Sequence, residues 1–190
     1  DFEQRFVQCH IKTDLAKLEP GQVDYLPIPG IKPMLGLIPL ACGATCEDHF
    51  VCVSTTTNPG YPTPAVWCGY LRNVSCSSVT LNPGNKFRFE PSELLNQGSL
   101  VMMNYPHNPT GQIATRGWLE RVCEICADQN IRLFNDAAYA ILDHSGNHCS
   151  LAEVAGNFPE LSWAEAFSAS KAGNFTGWRV GAIIGSLDFI

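Results

Sequence analysis

The chain has 190 residues, of which 45% are hydrophobic and 16% charged, and its formal net charge is −6. This length suits one domain with a hydrophobic core, and the low charged fraction is typical of an α/β sheet covered on both faces. The chain is acidic overall and its sequence shows no basic stripe, which argues against nucleic-acid binding. No apolar run is long enough to span a membrane, and no signal segment opens the sequence, so we expect a cytoplasmic protein.

The first half of the chain contains several apolar runs separated by Pro, Gly and Asn. A helix is expected over residues 1–16, a short strand over 26–28, and a helix that begins near Pro33 and is bent at Pro39. Further along, the pattern predicts a strand over 50–53, a helix over 64–70 and a β-rich run over 74–81.

The second half alternates strands and helices more clearly. The pattern predicts strands over 100–103, 131–134, 163–167 and 180–184, a helix that is capped by Thr115 and runs to Gln129, and a short helix over 151–155. Strands that alternate with helices favour a doubly wound, mostly parallel sheet with helices on both faces, hence a three-layer α/β fold.

Polar and glycine-rich segments follow the predicted strands, and in such sheets ligands bind at the carboxyl ends of the strands. Five segments of this kind are expected to assemble one site: residues 30–32, Tyr61, and residues 104–111, 135–139 and 168–179.

The cysteines and histidines carry weaker signals. Nine cysteines form no compact disulfide framework, so reduced thiols are expected. Cys123 and Cys126 form a CxxC, but their helical face is shared with apolar residues, which favours a buried core over a redox or zinc site. His107, His144 and His148 are possible ligands by residue type, but we predict no metal site.

Three segments resemble a known family. They are residues 104–111 (NYPHNPTG), residues 135–139 (NDAAY), and residues 168–181 (SASKAGNFTGWRVG). In this order they resemble the class I/II aminotransferases, fold type I enzymes that depend on pyridoxal 5′-phosphate (PLP), and are most similar to the LL-diaminopimelate and aspartate-type members. The resemblance implies a homodimer that acts on an amino acid and a 2-oxo acid.

The resemblance also implies catalytic roles for Lys171, Asp136 and Tyr139. Lys171 would supply the primary amine that holds PLP as a Schiff base and, once released, would move the substrate's α-proton. Asp136 would keep the pyridine nitrogen protonated, so that the ring withdraws electrons. Tyr139 and Asn108 would hydrogen-bond the phenolate oxygen of the ring.

Other positions are implied to bind the cofactor. Arg179 would hold the phosphate with its planar guanidinium, together with the hydroxyls of Ser168 and Ser170. The backbone N–H groups of Ile31 and Lys32 would add donors, although Ile31 departs from the small, often hydroxylated residue of many relatives. The aromatic ring of Tyr61 would stack on the pyridine.

The resulting hypothesis is PLP-dependent transamination, with residues 1–190 as the PLP-binding large-domain core, lacking the C-terminal small domain and the N-terminal segment. The isolated core is expected to bind PLP weakly and to turn over poorly. A carbon–sulfur lyase, an aminocyclopropane-carboxylate-synthase-like enzyme and a non-catalytic sensor domain of a regulator share these motifs. A nucleotide-binding α/β domain is disfavoured, because no G-x-G-x-x-G turn is present.

Overall fold

The structure is a computed structural model that describes residues 1–18, 21–44, 50–55, 59–71 and 74–190. Seven strands form a single mixed sheet in the order β1-β7-β6-β5-β4-β2-β3. The strands are β1 (Val23–Ile28), β2 (Phe50–Ser54), β3 (Val74–Ser78), β4 (Leu100–Met103), β5 (Arg132–Asp136), β6 (Trp163–Ser168) and β7 (Gly181–Ser186).

Five neighbouring strands, β3, β2, β4, β5 and β6, run parallel to one another, whereas β7 is antiparallel to both β6 and β1. Because β7 runs in the opposite direction, its first residue lies at the edge where the parallel strands end. The segments that follow β4, β5 and β6, and the segment that precedes β7, therefore meet at one edge of the sheet.

Helices cover both faces of this sheet. They are α1 (Phe2–Gln8), α2 (Ile31–Met34), α3 (Ile38–Ala41), α4 (Thr63–Cys68), α5 (Arg116–Asp128), α6 (Ala152–Ala155) and α7 (Ala169–Ala172). Short 3-10 turns occupy Leu15–Lys17, Pro91–Leu94 and Ala140–Leu142. None of the helices in the described ranges is long and apolar enough to cross a membrane.

Two hydrophobic cores lie on opposite faces of the sheet. Strand β4 contributes to both, since Val101 and Met103 pack with α1, α5 and α6, whereas Leu100 and Met102 pack with α2, α3 and α4. All four of these side chains are buried, because successive residues of a strand point to opposite faces. The predicted three-layer, mostly parallel α/β fold is confirmed.

Helix α5 buries the apolar face that its amphipathic sequence pattern predicts. Its residues Leu119, Val122, Cys123 and Cys126 are fully buried on one face, as expected from their spacing. Thr115 occupies the N-cap position, but its side chain does not cap the helix. Its Oγ1 instead accepts a hydrogen bond of 3.0 Å from Arg88 Nη1, so a tertiary contact replaces the predicted cap.

The helix predicted over residues 1–16 is wrong beyond Gln8, where α1 ends. The Gln8 side chain accepts a hydrogen bond from the Leu15 N–H and donates one to the Thr13 carbonyl. The N–H of Thr13 donates to Glu153 Oε1 at 2.7 Å. These side-chain contacts satisfy backbone groups that would otherwise continue the helix, so the chain turns back at this point.

Other boundaries also differ from the prediction, two of them for a clear structural reason. The helix expected to bend at Pro39 is divided into α2 and α3, and the break comes before Ile38. Pro39 lies in the first turn of α3, where its missing N–H carries no penalty. Strand β3 ends at Ser78 rather than at Leu81, because Val79 and Leu81 leave the ladder and are buried in the core that contains α5.

Candidate active site

One open cavity of about 240 Å³ lies at the edge of the sheet where the parallel strands end. It is lined by all ten predicted cofactor-binding residues, namely Ile31, Lys32, Tyr61, Asn108, Asp136, Tyr139, Ser168, Ser170, Lys171 and Arg179. Leu35, Asn104, Ala138 and Thr176 complete the lining. The cavity thus combines an anionic side chain, three cationic ones and several hydroxyl and amide groups.

Asp136 is the buried carboxylate of the cavity. It is the last residue of β5, is 9% exposed, and accepts a hydrogen bond of 3.1 Å from the Ala138 N–H. Burial raises the pKa of Asp136 to about 6, and the Ala138 N–H and the charge of Lys171 oppose that rise. A cation beside this carboxylate would therefore stabilise its ionised form, which burial disfavours.

The segment that carries Asn108 is attached directly to Asp136 through the side chain of Asn104. Asn104 Nδ2 donates to the Asp136 carbonyl at 2.8 Å, and Asn104 Oδ1 accepts from the Asn108 N–H at 2.9 Å. Asn104 is itself 2% exposed, and its hydrogen bond to the Asp136 carbonyl is buried. The two hydrogen bonds fix the start of the loop after β4 relative to the end of β5.

A second buried contact joins the same two strand ends. The side chain of Asn135 accepts from the Tyr105 N–H at 2.9 Å and donates to the Tyr105 carbonyl at 3.0 Å. Asn135 Nδ2 also donates to Glu165 Oε1 at 2.8 Å. The other carboxylate oxygen of Glu165 accepts from the Ser150 hydroxyl and from the Ala152 N–H. This network therefore extends through β4, β5 and β6 to the start of α6.

Lys171 is positioned by the turn that follows β6. Ser168 is the N-cap of α7, and its Oγ accepts from the Ser170 N–H at 3.2 Å. This cap begins the single helical turn that contains Lys171, one of two lysines that line the cavity. The other is Lys32, on α2.

Arg179 lies two residues before the start of β7 and lines the cavity from there. Its backbone has a φ of +53°, which is uncommon for a residue with a Cβ atom and is often found at functional sites. Its Nη1 donates to the Thr176 carbonyl at 3.1 Å. A Cβ atom added at Gly30 would lie 2.6 Å from Arg179 Nη2, so glycine at position 30 leaves room for the guanidinium.

Tyr139 and Tyr61 form the aromatic part of the lining. Burial raises the pKa of Tyr139, and electrostatic interaction with Asp136 and with Tyr61 raises it further. Since the ordinary pKa of tyrosine is about 10, the Tyr139 hydroxyl keeps its proton at neutral pH and is available as a hydrogen-bond donor.

Comparison with known proteins identifies the family. The model of the class I and II aminotransferases matches residues 9–190. The chain belongs to this family. Membership implies PLP as the cofactor, as the motifs predicted.

The relatives include the subfamilies suggested by the motifs. An LL-diaminopimelate aminotransferase of Dehalococcoides mccartyi is 29% identical over 92% of this chain and 44% of its own length. An aspartate aminotransferase of Thermotoga maritima is 29% identical over 64% of this chain and 34% of its own length. The chain thus spans less than half the length of these aminotransferases.

A comparison with solved structures supports the fold. The substrate-bound structure of BacF from Bacillus subtilis has a TM-score of 0.80 at 21% identity, and the match covers 98% of this chain and 45% of that one.

Three of the four lining residues that were not predicted lie within the aminotransferase motifs, and the fourth is Leu35. Asn104 and Thr176 belong to the polar segments already noted, and Ala138 lies between the two predicted residues of the NDAAY segment. A polar side chain that directly follows a buried strand was a usable signal for Asn104. No sequence signal marked Leu35 as a site residue, because its apolar side chain is typical of the core.

The histidines considered as metal ligands do not converge. His107 is buried, and its Nδ1 is 2.8 Å from Thr110 Oγ1. His107 and His144 line a neighbouring cavity of about 310 Å³, whereas His148 lies in a small polar cleft with His10. Within the described ranges, no group of three His, Cys, Asp or Glu side chains is arranged to hold a metal ion.

Proposed function

We propose that this chain is the PLP-binding core of an aminotransferase that transfers the amino group of an amino acid to a 2-oxo acid. The observation that supports the proposal is the shared cavity, which is lined by a buried carboxylate, Asp136, and by an exposed lysine, Lys171, whose charge acts on Asp136. A buried carboxylate with a raised pKa beside a lysine is a frequent feature of catalytic sites.

The side chains of the cavity fit the chemical groups of PLP. The cofactor presents a ring nitrogen that can be protonated, a phosphate, a ring oxygen and an aldehyde. The cavity offers Asp136 for the first, Arg179 with two serine hydroxyls for the second, Asn108 and Tyr139 for the third, and Lys171 for the fourth. When bound, PLP supplies a carbonyl that accepts the amino group and a ring that stabilises negative charge at the α-carbon.

Asp136 and Lys171 would divide the proton chemistry between them. The buried carboxylate of Asp136 would hold a proton on the ring nitrogen, because a neighbouring cation offsets the cost of its own ionisation. Lys171 would hold the cofactor through its side-chain amine. Once that amine is free, it would take the proton from the α-carbon of the substrate and deliver it to the C4′ carbon of the cofactor.

The phosphate would lie between Arg179 and the start of α7. The guanidinium provides a planar set of N–H donors that matches phosphate oxygens, and its contact with the Thr176 carbonyl orients it. The hydroxyls of Ser168 and Ser170 and the N–H groups of Ile31 and Lys32 would complete this end of the site.

At the opposite end, the Tyr139 hydroxyl would donate to the ring oxygen, since its raised pKa keeps it protonated. The Asn108 side chain would add a second donor, and Asn104 holds the Asn108 backbone in place. The Tyr61 ring would cover one face of the pyridine.

Substrate class and assembly extend this proposal. The two named relatives suggest an amino donor that carries an additional polar or charged group, as diaminopimelate and aspartate do. We further propose that residues 1–190 act as the large-domain core of a homodimer, as the family resemblance implies.

The proposal is tested by mixing the protein with PLP, reducing it with borohydride and mapping the modified peptide. We expect the reduced adduct on Lys171, and its loss in Lys171→Ala. Lys32→Ala is the matched control, because it removes the other lysine of the cavity but keeps its backbone N–H. An adduct spread over surface lysines, or retained in Lys171→Ala, would refute the assignment.

Product analysis of the full-length protein then tests the reaction. A 2-oxo acid with pyridoxamine phosphate supports transamination, whereas released ammonia indicates a lyase. Binding of PLP without either product indicates a sensor domain.

A further inference from the structure

Three thiols meet at the β2–β3 edge of the sheet, away from the cofactor cavity. Cys52 of β2 lies directly opposite Cys76 of β3 in the parallel register. Cys68 is the last residue of α4, and it shares a hydrophobic core with Cys52. Hydrogen bonding with the neighbouring thiols of Cys68 and Cys76 raises the pKa of Cys52.

The geometry of the Cys52–Cys76 pair suits a covalent link. Neighbouring strands lie roughly 4.8 Å apart, and directly opposite residues of a pair point to the same face. Disulfides join residues whose Cα atoms are about 4.4–6.8 Å apart. Residues directly opposite each other on neighbouring strands, as Cys52 and Cys76 are, therefore have Cα atoms within that range.

The two members of the pair differ in access to solvent. Cys76 is exposed, whereas Cys52 and Cys68 are fully buried. Hydrogen bonds from the thiols of Cys52 and Cys68 lower the pKa of Cys76, against the opposing effect of partial burial. The exposed sulfur is thus the one with thiolate character, and the thiolate is the reactive form of cysteine.

We propose that Cys76 is an oxidant-sensing thiol that reacts with hydrogen peroxide and then forms a disulfide with Cys52. In the first step, the Cys76 sulfur attacks one peroxide oxygen, the O–O bond breaks, and Cys76 sulfenic acid and water result. In the second step, the Cys52 sulfur attacks the Cys76 sulfur, the S–O bond breaks, and a second water leaves. Two thiols are oxidised to one disulfide, and one peroxide is reduced to two waters.

The remaining cysteines of the described ranges provide internal comparisons. Cys123 and Cys126 are fully buried in α5, and burial raises the pKa of both, so neither is expected to react. Cys9 is exposed but belongs to no thiol group. Cys46 lies outside the described residues and is replaced by serine in every test protein.

The test exposes the Cys46→Ser protein to one equivalent of hydrogen peroxide, blocks the remaining thiols and maps the peptides by mass spectrometry. We expect a Cys52–Cys76 cross-linked peptide that a thiol reductant removes. We also expect Cys76, which is exposed, to be oxidised at least about tenfold faster than the fully buried Cys123 and Cys126, because burial excludes oxidant and raises the pKa of both buried thiols.

Two variants separate the steps. In Cys52→Ser, Cys76 sulfenic acid should accumulate and be trapped by dimedone, whereas in Cys76→Ser, Cys52 should stay reduced. Cys9→Ser is the matched control and should form the cross-link at an unchanged rate. The proposal is overturned if Cys76 reacts no faster than Cys123 and Cys126, or if Cys76 pairs with Cys68 instead. Both results come from the unmutated pair, so they hold even if a variant fails to fold.

Discussion

Replacing Asp136 with asparagine separates the effect of this residue on folding stability from its contribution to cofactor binding. Burial raises the pKa of Asp136 from 3.8 to about 6 in the protein without cofactor. A difference of about 2 units, at about 1.4 kcal/mol per unit, means that ionised Asp136 destabilises the folded state by about 3 kcal/mol at neutral pH. Asp136→Asn should therefore stabilise the cofactor-free protein, since the amide oxygen can still accept from the Ala138 N–H.

The sign of the pH dependence follows from the direction of the shift. Because the folded pKa lies above the unfolded one, the folded state binds more protons between pH 3.8 and about 6. The wild type loses stability as pH rises through that window, whereas Asp136→Asn does not. The stability advantage of the variant should be absent at about pH 4 and reach its full size above about pH 7.

Urea unfolding of both proteins at several pH values measures this difference. PLP should reverse the order at pH 7, because the ring nitrogen would pair with Asp136 in the wild type only. Asp143→Asn is the control, because the pH dependence of its effect on stability should have the opposite sign. Desolvation of Asp143 is outweighed by hydrogen bonds from Ser145 and His148, which lower its pKa to about 2. An advantage of Asp136→Asn that does not change with pH would refute the reasoning.

Two further predictions concern residues that position the site without being part of its predicted chemistry. Gly30→Ala should destabilise the fold by about 1–3 kcal/mol and weaken PLP binding, because φ is +80° at Gly30 and the added methyl group meets the Arg179 guanidinium. Gly117→Ala, whose Cβ meets nothing within 4 Å, is the control, and equal effects in thermal unfolding and PLP titration would contradict the idea. Glu165→Gln should lower the free energy of unfolding by about 1–3 kcal/mol, since one of its carboxylate oxygens would become an NH₂ group facing donors. Exposed Glu160→Gln should change it by less than about 0.5 kcal/mol in urea unfolding.

Much of the fold followed from local patterns in the sequence. The strands were predicted to within one to three residues, because a fully buried parallel strand such as β4 is a continuous apolar run. Their alternation with helices predicted the three-layer fold. The antiparallel direction of β7 was not predictable, because its residues carry the same apolar signal in either direction.

The errors arose where tertiary contacts compete with local preference. The end of α1 is set by Gln8 and by Glu153, which is distant in the chain, and no local pattern contains that contact. The Thr115 cap was replaced by a contact with Arg88 for the same reason.

For the candidate site, sequence determined which residue types were available, and the order of the motifs identified the family. Only the tertiary structure brought Asp136, Lys171 and Arg179 to one cavity, because three different strand ends must meet at one edge of the sheet. It also decided the environment of each group. The pKa of Asp136 and the room that Gly30 leaves for Arg179 depend on burial and on close approach between distant segments, which a linear pattern does not record.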